Sequence, residues 1–292
     1  MFARTSDCGY MGKDVALVLS SGGARGLAHI GAIEELEAQG YSITSIAGCS
    51  MGALIGGVYA AGKLDEFRNW MKTVDRKKML ELTDFSFSLN HLVKGTRIIE
   101  AIMEFVPDVK IEDLPIPYCA VATDWVTGRE VVFREGSLFE AIRASISLPS
   151  FYEPVHRDGM ILIDGGVTNP IPLNRVVRKD GDILVGVDVS GHDYKAQSEM
   201  QHELAEKRKR STSLSQQILN KLIPDNLEFN YYTMLSRVSS ILIRQNSILM
   251  AQLMKPDILV DIQMARYGGF DFDKSEKLIA IGRQKTLQAL NK

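Results

Sequence analysis

Ile46-Ala47-Gly48-Cys49-Ser50-Met51-Gly52 follows a short apolar run and precedes a segment rich in glycine and alanine. This pattern predicts a strand, a sharp turn and a helix, with Gly48-x-Ser50-x-Gly52 at the turn. A serine at the apex of such a turn has strained backbone angles, and a Cβ atom two residues before or after it would clash. The apex exposes the serine hydroxyl, and the helix N-terminus behind it favours negative charge. The stretch therefore predicts a nucleophilic serine at position 50.

A second unit of the same kind precedes this turn. Residues 15–19 are apolar and end in a glycine-rich loop, and residues 27–39 show helical spacing up to Gly40. Strand, loop, helix, strand, turn and helix form a βαβα opening, which predicts a parallel sheet with helices on its faces. Further strands are expected at 118–123, 130–133, 160–163, 182–189 and 257–262. Further helices are expected at 64–74, 96–105, 137–145, 227–254 and 274–290.

The chain has no internal repeat, and we predict one domain over residues 14–292 after a loose leader at 1–13. A polar insertion is expected at about 195–226, and it contains the basic run Lys207–Arg210. That run is typical of a solvated surface, although it could also attract anionic lipid headgroups. The Met, Leu and Ile side chains of 227–254 are expected mostly in the core, with an acyl pocket or a membrane-facing surface as the alternatives.

Composition excludes several classes of protein. The chain has 292 residues, is 45% hydrophobic and carries a formal net charge of −2, so nothing indicates a nucleic-acid partner. The cysteines Cys8, Cys49 and Cys119 have no C-x-x-C spacing, which argues against a disulfide framework or a zinc site. No signal-peptide pattern or long uncharged apolar run is present. We expect a cytoplasmic protein without metal or cofactor, whose contact with a membrane is at most peripheral.

The loop formed by Gly22, Gly23, Ala24, Arg25 and Gly26 opens the first helix. Successive backbone N–H groups at a positive helix end make an anion site. The loop lacks the Lys-Ser/Thr ending of a P-loop and the G-x-G-x-x-G spacing of a dinucleotide site. Because this loop and the Ser50 turn end adjacent parallel strands, we interpret the loop as an oxyanion hole.

The group that accepts the serine proton is less clear from the residues. Asp164 ends a predicted strand and is followed by Gly165 and Gly166, but Asp-Gly-Gly is often only a tight turn. The alternative is one of five histidines, and His192 follows Asp164 in the order of a Ser–Asp–His hydrolase. A solvated or packing role is the usual one for isolated histidines. The five are His29, His91, His156, His192 and His202.

Several motifs together, in order from about Asp14 to Asp188, resemble the patatin-like phospholipases. They are Ser21-Gly22-Gly23-Ala24-Arg25-Gly26, Gly48-Cys49-Ser50-Met51-Gly52, Thr123-Asp124 with Thr127-Gly128, Ala144-Ser145 through Pro149 to Pro154, and Asp164-Gly165-Gly166. The resemblance implies a three-layer α/β/α sandwich with a mostly parallel sheet. It also implies a Ser50–Asp164 dyad, an oxyanion hole at Gly22–Gly26, and hydrolysis of acyl esters of phospholipids or lysophospholipids.

A dyad has consequences for the pH dependence and for the neighbouring residues. A carboxylate with an ordinary pKa of ~4 should support activity well below pH 6, whereas a histidine base loses activity near ~6.5. Cys49 is expected to be a structural thiol, and Arg25 either faces solvent or meets a lipid phosphate. Two rivals remain: a Ser–His–Asp esterase using His192 or His156, and a non-catalytic protein that binds a lipid or a partner.

Overall fold

The computed structural model describes residues 13–75, 77–78, 81, 96–149, 152–191, 198–199, 202, 231–264, 267–268 and 271–292. Within these residues the chain forms one eight-stranded sheet. Its strands are β1 (Lys13–Leu19), β2 (Tyr41–Cys49), β3 (Tyr118–Asp124), β4 (Glu130–Phe133), β5 (Val155–Arg157), β6 (Met160–Asp164), β7 (Ile183–Asp188) and β8 (Ile258–Asp261).

Most of the sheet is parallel, as the sequence predicts. The strand order is β5-β6-β3-β2-β1-β7-β8, and β4 also pairs with β3. The pairs from β3 through β2, β1 and β7 to β8 are parallel, and the pairs that involve β4 or β6 are antiparallel. The central strands read as continuous apolar runs because both faces of the sheet are covered.

Seven α-helices accompany the sheet in the described ranges. They are α1 (Ala28–Ala38), α2 (Met51–Ala60), α3 (Leu64–Lys72), α4 (Thr96–Met103), α5 (Leu138–Ser145), α6 (Tyr231–Met254) and α7 (Ser275–Leu290). The larger core joins α1, α2, α5 and α7 to one face of the sheet. A smaller core on the other face contains Ala16, Val18 and Ala47, with Met250 and Met254 of α6 packed against it. The three-layer α/β/α architecture is therefore confirmed.

Two predictions about the organisation of the chain need correction or lie outside the described residues. Lys13, which we assign from sequence to the leader, is the first residue of β1 and pairs with Tyr41. Of the predicted insertion at about 195–226, the structure describes only residues 198, 199 and 202. The basic run Lys207–Arg210 therefore lies outside the described residues, as does most of the predicted leader.

The expectation that the apolar residues of 227–254 are mostly core is wrong for α6. Ser247 is its one fully buried residue among those whose burial is described. Six apolar side chains of the helix are exposed: Met234, Val238, Ile241, Leu242, Leu249 and Leu253. Sequence periodicity predicts the helix but not its partners. No helix among the described residues has both the length and the apolar character needed to cross a bilayer.

Strand β3 brings the carboxyl ends of β2 and β6 together. The last residue of β2 pairs with Val121, and the last residue of β6 pairs with Ala122. Strand β4 pairs with β3 over residues that overlap both of these stretches, so β2 and β6 must share the opposite edge of β3. The two strands approach head-on along that edge. Ser50, which follows β2, therefore meets Asp164 at the end of β6.

Candidate active site

Ser50 occupies a strained turn between β2 and α2. Its backbone has φ 53° and ψ −121°, a conformation that costs a non-glycine residue about 1–3 kcal/mol. A Cβ atom at Gly48 would lie 2.4 Å from the carbonyl oxygen of Gly52, and one at Gly52 would lie 2.2 Å from that of Leu19. The two glycines are thus required by close backbone packing, as the spacing predicts. The role of Ser50 as a nucleophile stays a prediction.

The Ser50 hydroxyl donates a hydrogen bond to the carboxylate of Asp164. The distance from Oγ to Oδ2 is 2.6 Å, and the other oxygen, Oδ1, accepts from the N–H of Gly166 at 2.7 Å. Thr123 donates to the Asp164 carbonyl oxygen at 3.1 Å. A Cβ atom at Gly165 would lie 2.2 Å from the Val121 oxygen, so only glycine fits there. Asp-Gly-Gly therefore positions a carboxylate against the serine, which a plain turn does not do.

Burial makes Asp164 a stronger base than a surface carboxylate. Its side chain lies in the interior, and burial raises its pKa from 3.8 to about 6, although the hydrogen bonds from Ser50 and Gly166 act in the opposite direction. Desolvation disfavours the charged form of a carboxyl group. With this raised pKa, activity well below pH 6 is no longer the expected behaviour of this carboxylate. A pH profile no longer separates it from a histidine with a pKa of ~6.5.

Ser145 is a residue of the site to which the sequence assigns no role. Its hydroxyl accepts a hydrogen bond from the N–H of Ser50 at 2.8 Å and donates to the carbonyl oxygen of Val121 at 2.6 Å. The hydroxyl thereby links the strained turn to β3 from the end of α5. Because these partners are far apart in sequence, no local pattern could reveal the contact. The N–H of Ser50 is therefore already engaged in a hydrogen bond within the protein.

The glycine-rich loop lies beside this pair. Gly23 has φ 57°, which places it in the left-handed region that glycine tolerates, and a 3-10 turn over Gly23–Leu27 continues into α1. A Cβ atom at Gly26 would lie 2.2 Å from Cγ of Met51, the residue after the serine. A Cβ atom at Gly166 would lie 3.1 Å from Oγ of Ser21. The loop is therefore packed against both the serine turn and the aspartate turn.

Arg25 and Cys49 are both interior residues. Arg25 is only 7% exposed, its Nε donates to the Gly22 carbonyl oxygen at 3.3 Å, and a terminal nitrogen donates to that of Gly191 at 3.2 Å. A solvent-facing Arg25 is thus wrong, because the guanidinium ties the loop to the chain that follows β7. Cys49 is fully buried, and burial raises the pKa of its thiol well above the ordinary value. A neutral thiol fits the structural role predicted for it.

The structure describes three of the five histidines, His29, His156 and His202. His29 is fully buried, its Nε2 lies 2.9 Å from the Ser20 carbonyl oxygen, and burial lowers its pKa to about 4. His156 is an exposed residue of β5, and His202 is exposed. Among the described residues, no histidine hydrogen-bonds to Ser50. His91 and His192 lie outside the described residues, so the triad with His192 is not tested.

No metal site is visible in the part of the chain that the structure describes, since no group of three His, Cys, Asp or Glu side chains is arranged to hold an ion there.

The motif residues Asp124 and Thr127 have a structural role. Asp124 accepts from the Thr127 hydroxyl at 2.6 Å and from the N–H of Val126 at 3.2 Å. These bonds fix the turn between β3 and β4.

The fold and this site define a class: an α/β protein in which a strained serine at a strand–helix turn contacts a buried carboxylate. The chain belongs to the patatin-like phospholipase family, since the model of that family matches residues 17–177, more than half of the 292 residues. The matched range contains the serine turn, the glycine-rich loop and Asp164.

Two curated relatives and one solved structure are similar to this chain. An uncharacterized NTE family protein of Mycobacterium bovis is 46% identical over 179 residues, which cover 61% of this chain and 50% of that protein. Neuropathy target esterase sws of Drosophila melanogaster is 31% identical over 189 residues, which cover 62% of this chain and 13% of that protein. Among solved structures, VipD from Legionella pneumophila is similar at 14% identity and a TM-score of 0.48, covering 96% of this chain and 67% of that one. The chain spans at most about half the length of these two curated relatives.

Proposed function

We propose that this chain is a serine acyl hydrolase that cleaves acyl esters of lipids, with phospholipids or lysophospholipids as the substrate class. The observation that carries the proposal is the 2.6 Å hydrogen bond from the strained Ser50 hydroxyl to the buried Asp164 carboxylate. Membership of the patatin-like phospholipase family supports a lipid ester as substrate. A relative from Drosophila is named an esterase, which agrees with this reaction type.

In the proposed reaction, Oγ of Ser50 attacks the ester carbonyl carbon while its proton passes to Oδ2 of Asp164. The tetrahedral intermediate then expels the alcohol, which takes the proton from Asp164, and an acyl group remains on Ser50. A water molecule gives its proton to Asp164 and attacks this acyl group. The fatty acid leaves as Ser50 Oγ takes the proton back. A pKa of about 6 leaves Asp164 ionised at neutral pH and able to act as the base.

The oxyanion is assigned to the loop that contains Gly22 and Gly23. Among the described residues, the backbone N–H groups of these two glycines donate to no acceptor, and the loop opens a helix that favours negative charge. The N–H of Ser50 is unsuitable because it donates to Ser145. In related acyl chemistry one such donor contributes about 2.7–4 kcal/mol to transition-state stabilisation. Arg25 holds the loop in place through its main-chain contacts.

Labelling with a fluorophosphonate, followed by assays with a panel of esters and phospholipids, tests the proposal. Ser50→Ala should remove the label, and Asp164→Asn should reduce ester hydrolysis by on the order of 10³-fold or more, because the two residues act as one unit. Ser45→Ala is the matched control, since Ser45 is a buried serine of β2, the strand that leads to Ser50. Labelling that survives Ser50→Ala would exclude Ser50 as the nucleophile.

The two rivals predict different results. A Ser–His–Asp esterase predicts a near-total loss of activity in a folded His156→Ala or His192→Ala variant, comparable to the loss on removing the serine. A non-catalytic binding protein predicts that the unmodified chain takes no fluorophosphonate label and hydrolyses no ester. Retention of most of the rate in both histidine variants, together with labelling at Ser50, would support the dyad.

A further inference from the structure

Exposed apolar side chains of α6 form a stripe along one side of the helix. Met234, Val238, Ile241 and Leu242 are 44%, 47%, 40% and 58% exposed, and their spacings of three and four residues place them on neighbouring turns. A helix of a globular protein normally turns such a stripe towards the core. Here the stripe faces away from the sheet, so it is available to contact another apolar surface.

This stripe extends beyond the edge of the sheet where the carboxyl ends of the parallel strands lie. We call it the catalytic edge because Ser50 lies there. Arg244 pairs with Asp188 at 2.7 Å and with Asp261 at 3.0 Å, and these are the last residues of β7 and β8. The helix ends at Met254, just before β8 begins, so the residues before Arg244 project past the carboxyl ends of the strands. The thirteen residues 231–243 span about 20 Å at 1.5 Å per residue. Because β1 and β2 are parallel to β7, Ser50 lies at this same edge.

The turn after Asp164 connects the stripe to the candidate site. The 3-10 turn Gly165–Val167 packs beside α6. Val167, the last residue of that turn, is 45% exposed although it lies only three positions after Asp164. An exposed apolar side chain therefore lies between Asp164 and the neighbouring helix α6.

The turn between β3 and β4 adds a second group of exposed apolar residues at this edge. Trp125 and Val126 are 64% and 68% exposed, and they follow the last residue of β3. Trp125 lies three residues beyond Ala122, the partner of Asp164, which corresponds to about 10 Å along the strand direction. Arg129 is exposed in the same turn. An apolar tip followed by a cation matches a lipid surface, where acyl chains lie beneath anionic phosphates.

We propose that these two groups form a rim that docks the catalytic edge on a lipid bilayer. The rim consists of Trp125 and Val126 on the β3–β4 turn, Val167, and the α6 residues Met234, Val238, Ile241 and Leu242. This inference rests on the proposed function, because a lipid ester must reach Ser50 from the bilayer in which it resides. A rim that contacts the bilayer around the site shortens that path and excludes water from it.

Vesicle binding by the Ser50→Ala variant of the 292-residue chain tests the rim without turnover. Flotation with phosphatidylcholine vesicles containing phosphatidylglycerol should show binding. A Trp125→Ser/Val126→Ser variant, made in the same background, should reduce the bound fraction about 10-fold or more. The chain has two tryptophans, Trp70 and Trp125. In a Trp70→Phe variant the remaining fluorescence should therefore shift to the blue on binding and be quenched by brominated lipid.

The helix offers its own matched control. Leu253 is 74% exposed but lies at the end of α6 near the start of β8, away from the catalytic edge. Ile241→Ser/Leu242→Ser should weaken vesicle binding by the same order as the turn variant, whereas Leu253→Ser should leave it unchanged. Equal effects of both changes, or no binding by the unchanged chain, would overturn the proposal. Dissociation of an oligomer by the Ile241/Leu242 change, without an effect on vesicles, would show that a second copy covers the stripe and would also overturn it.

Hydrolysis of a soluble short-chain ester separates this inference from the proposed function. All rim variants should keep this activity within about twofold, because none of their residues belongs to the candidate dyad or the glycine-rich loop. If the unchanged chain hydrolyses no soluble ester but the Ser50→Ala protein binds vesicles through the rim, the proposed function fails and the docking surface stands. If ester hydrolysis is normal and rim variants bind vesicles fully, only the docking surface fails.

Discussion

Replacing Asp164 by asparagine should make the protein more stable at neutral pH while removing its proposed activity. The Asp164 side chain is buried, and burial raises its pKa from 3.8 to about 6. No neighbouring cation is among the influences on that pKa. The folded chain therefore opposes the ionised form of a carboxylate that the proposed chemistry requires.

The size and sign of the effect follow from proton linkage. A carboxyl group with a higher pKa in the folded state binds its proton more tightly there, so folding is favoured as the pH falls. Above pH 6 the group is ionised in both states, and the penalty is complete. The difference of about two pH units corresponds to about 3 kcal/mol of free energy of unfolding. The penalty shrinks as the pH falls from 6 to 3.8 and is absent below that range.

Asparagine can retain both local contacts of Asp164. Its amide oxygen can accept from the N–H of Gly166, and its amide nitrogen can donate to Oγ of Ser50, which then acts as acceptor. The substitution thus removes the charge and keeps both contacts, while the Ser50 hydroxyl hydrogen and the second amide hydrogen must turn to other acceptors. We expect Asp164→Asn to raise the free energy of unfolding by about 3 kcal/mol at pH 8.

Urea unfolding followed by circular dichroism between pH 8 and pH 4.5 measures this difference. Asp182→Asn is the control, because Asp182 is also buried but pairs with Arg178 through Nε at 2.5 Å. That variant should be less stable at pH 8, since it replaces charge-assisted hydrogen bonds to the Asp182 carboxylate from Arg178 and from the N–H of Lys179 by weaker bonds to a neutral amide. The reasoning is refuted if Asp164→Asn is destabilised at pH 8, or if its advantage does not decrease as the pH falls.

Three further predictions concern the same site. Ser145→Ala removes the acceptor for the N–H of Ser50, so kcat/KM for a soluble ester should fall about 10–100-fold with an unchanged circular dichroism spectrum; an unchanged rate would show that the turn needs no such support. Gly52→Ala should cost about 3 kcal/mol or more in urea unfolding because its Cβ would meet a main-chain oxygen at 2.2 Å, whereas Gly62→Ala, with open space but φ 69°, should cost about 1 kcal/mol. The pH–rate profile should rise through about 6 and stay high at pH 8 because Asp164 must be ionised; full activity at pH 4.5 would contradict its raised pKa.

Local sequence patterns predict the parts of the site that are made by neighbouring residues. The turn at Ser50 depends on backbone contacts within and beside one strand–helix junction, and the glycine spacing reports those contacts directly. The parallel sheet follows from alternating apolar runs and helical segments. Asp164 required the family resemblance as well, since its contact with Ser50 spans 114 positions of the sequence.

Contacts made across the fold could not be predicted in this way. Ser145 reaches Ser50 over 95 positions, and only the packing of α5 on β3 brings them together. The sequence predicts that Arg25 either faces solvent or meets a lipid phosphate, but the side chain is buried and bonds to main-chain partners as distant as Gly191. For α6, periodicity identifies an apolar stripe without identifying what the stripe contacts. The three-residue strand Val155–Arg157 is too short for a clear pattern.

Two independent costs to stability meet at one hydrogen bond, and their coincidence is the strongest argument for chemistry at this site. The backbone of Ser50 is strained by about 1–3 kcal/mol, and the buried charge of Asp164 costs about 3 kcal/mol at neutral pH. Either feature alone occurs in proteins for other reasons. A protein that only binds a lipid or a partner needs neither, because a glycine at position 50 would remove the backbone strain and an asparagine at position 164 would remove the buried charge. The contacts from Ser145, Gly166 and Thr123 hold the two costly residues in the one arrangement in which the serine proton faces its acceptor. Strain and burial at such a point are expected where a serine must be activated without a histidine.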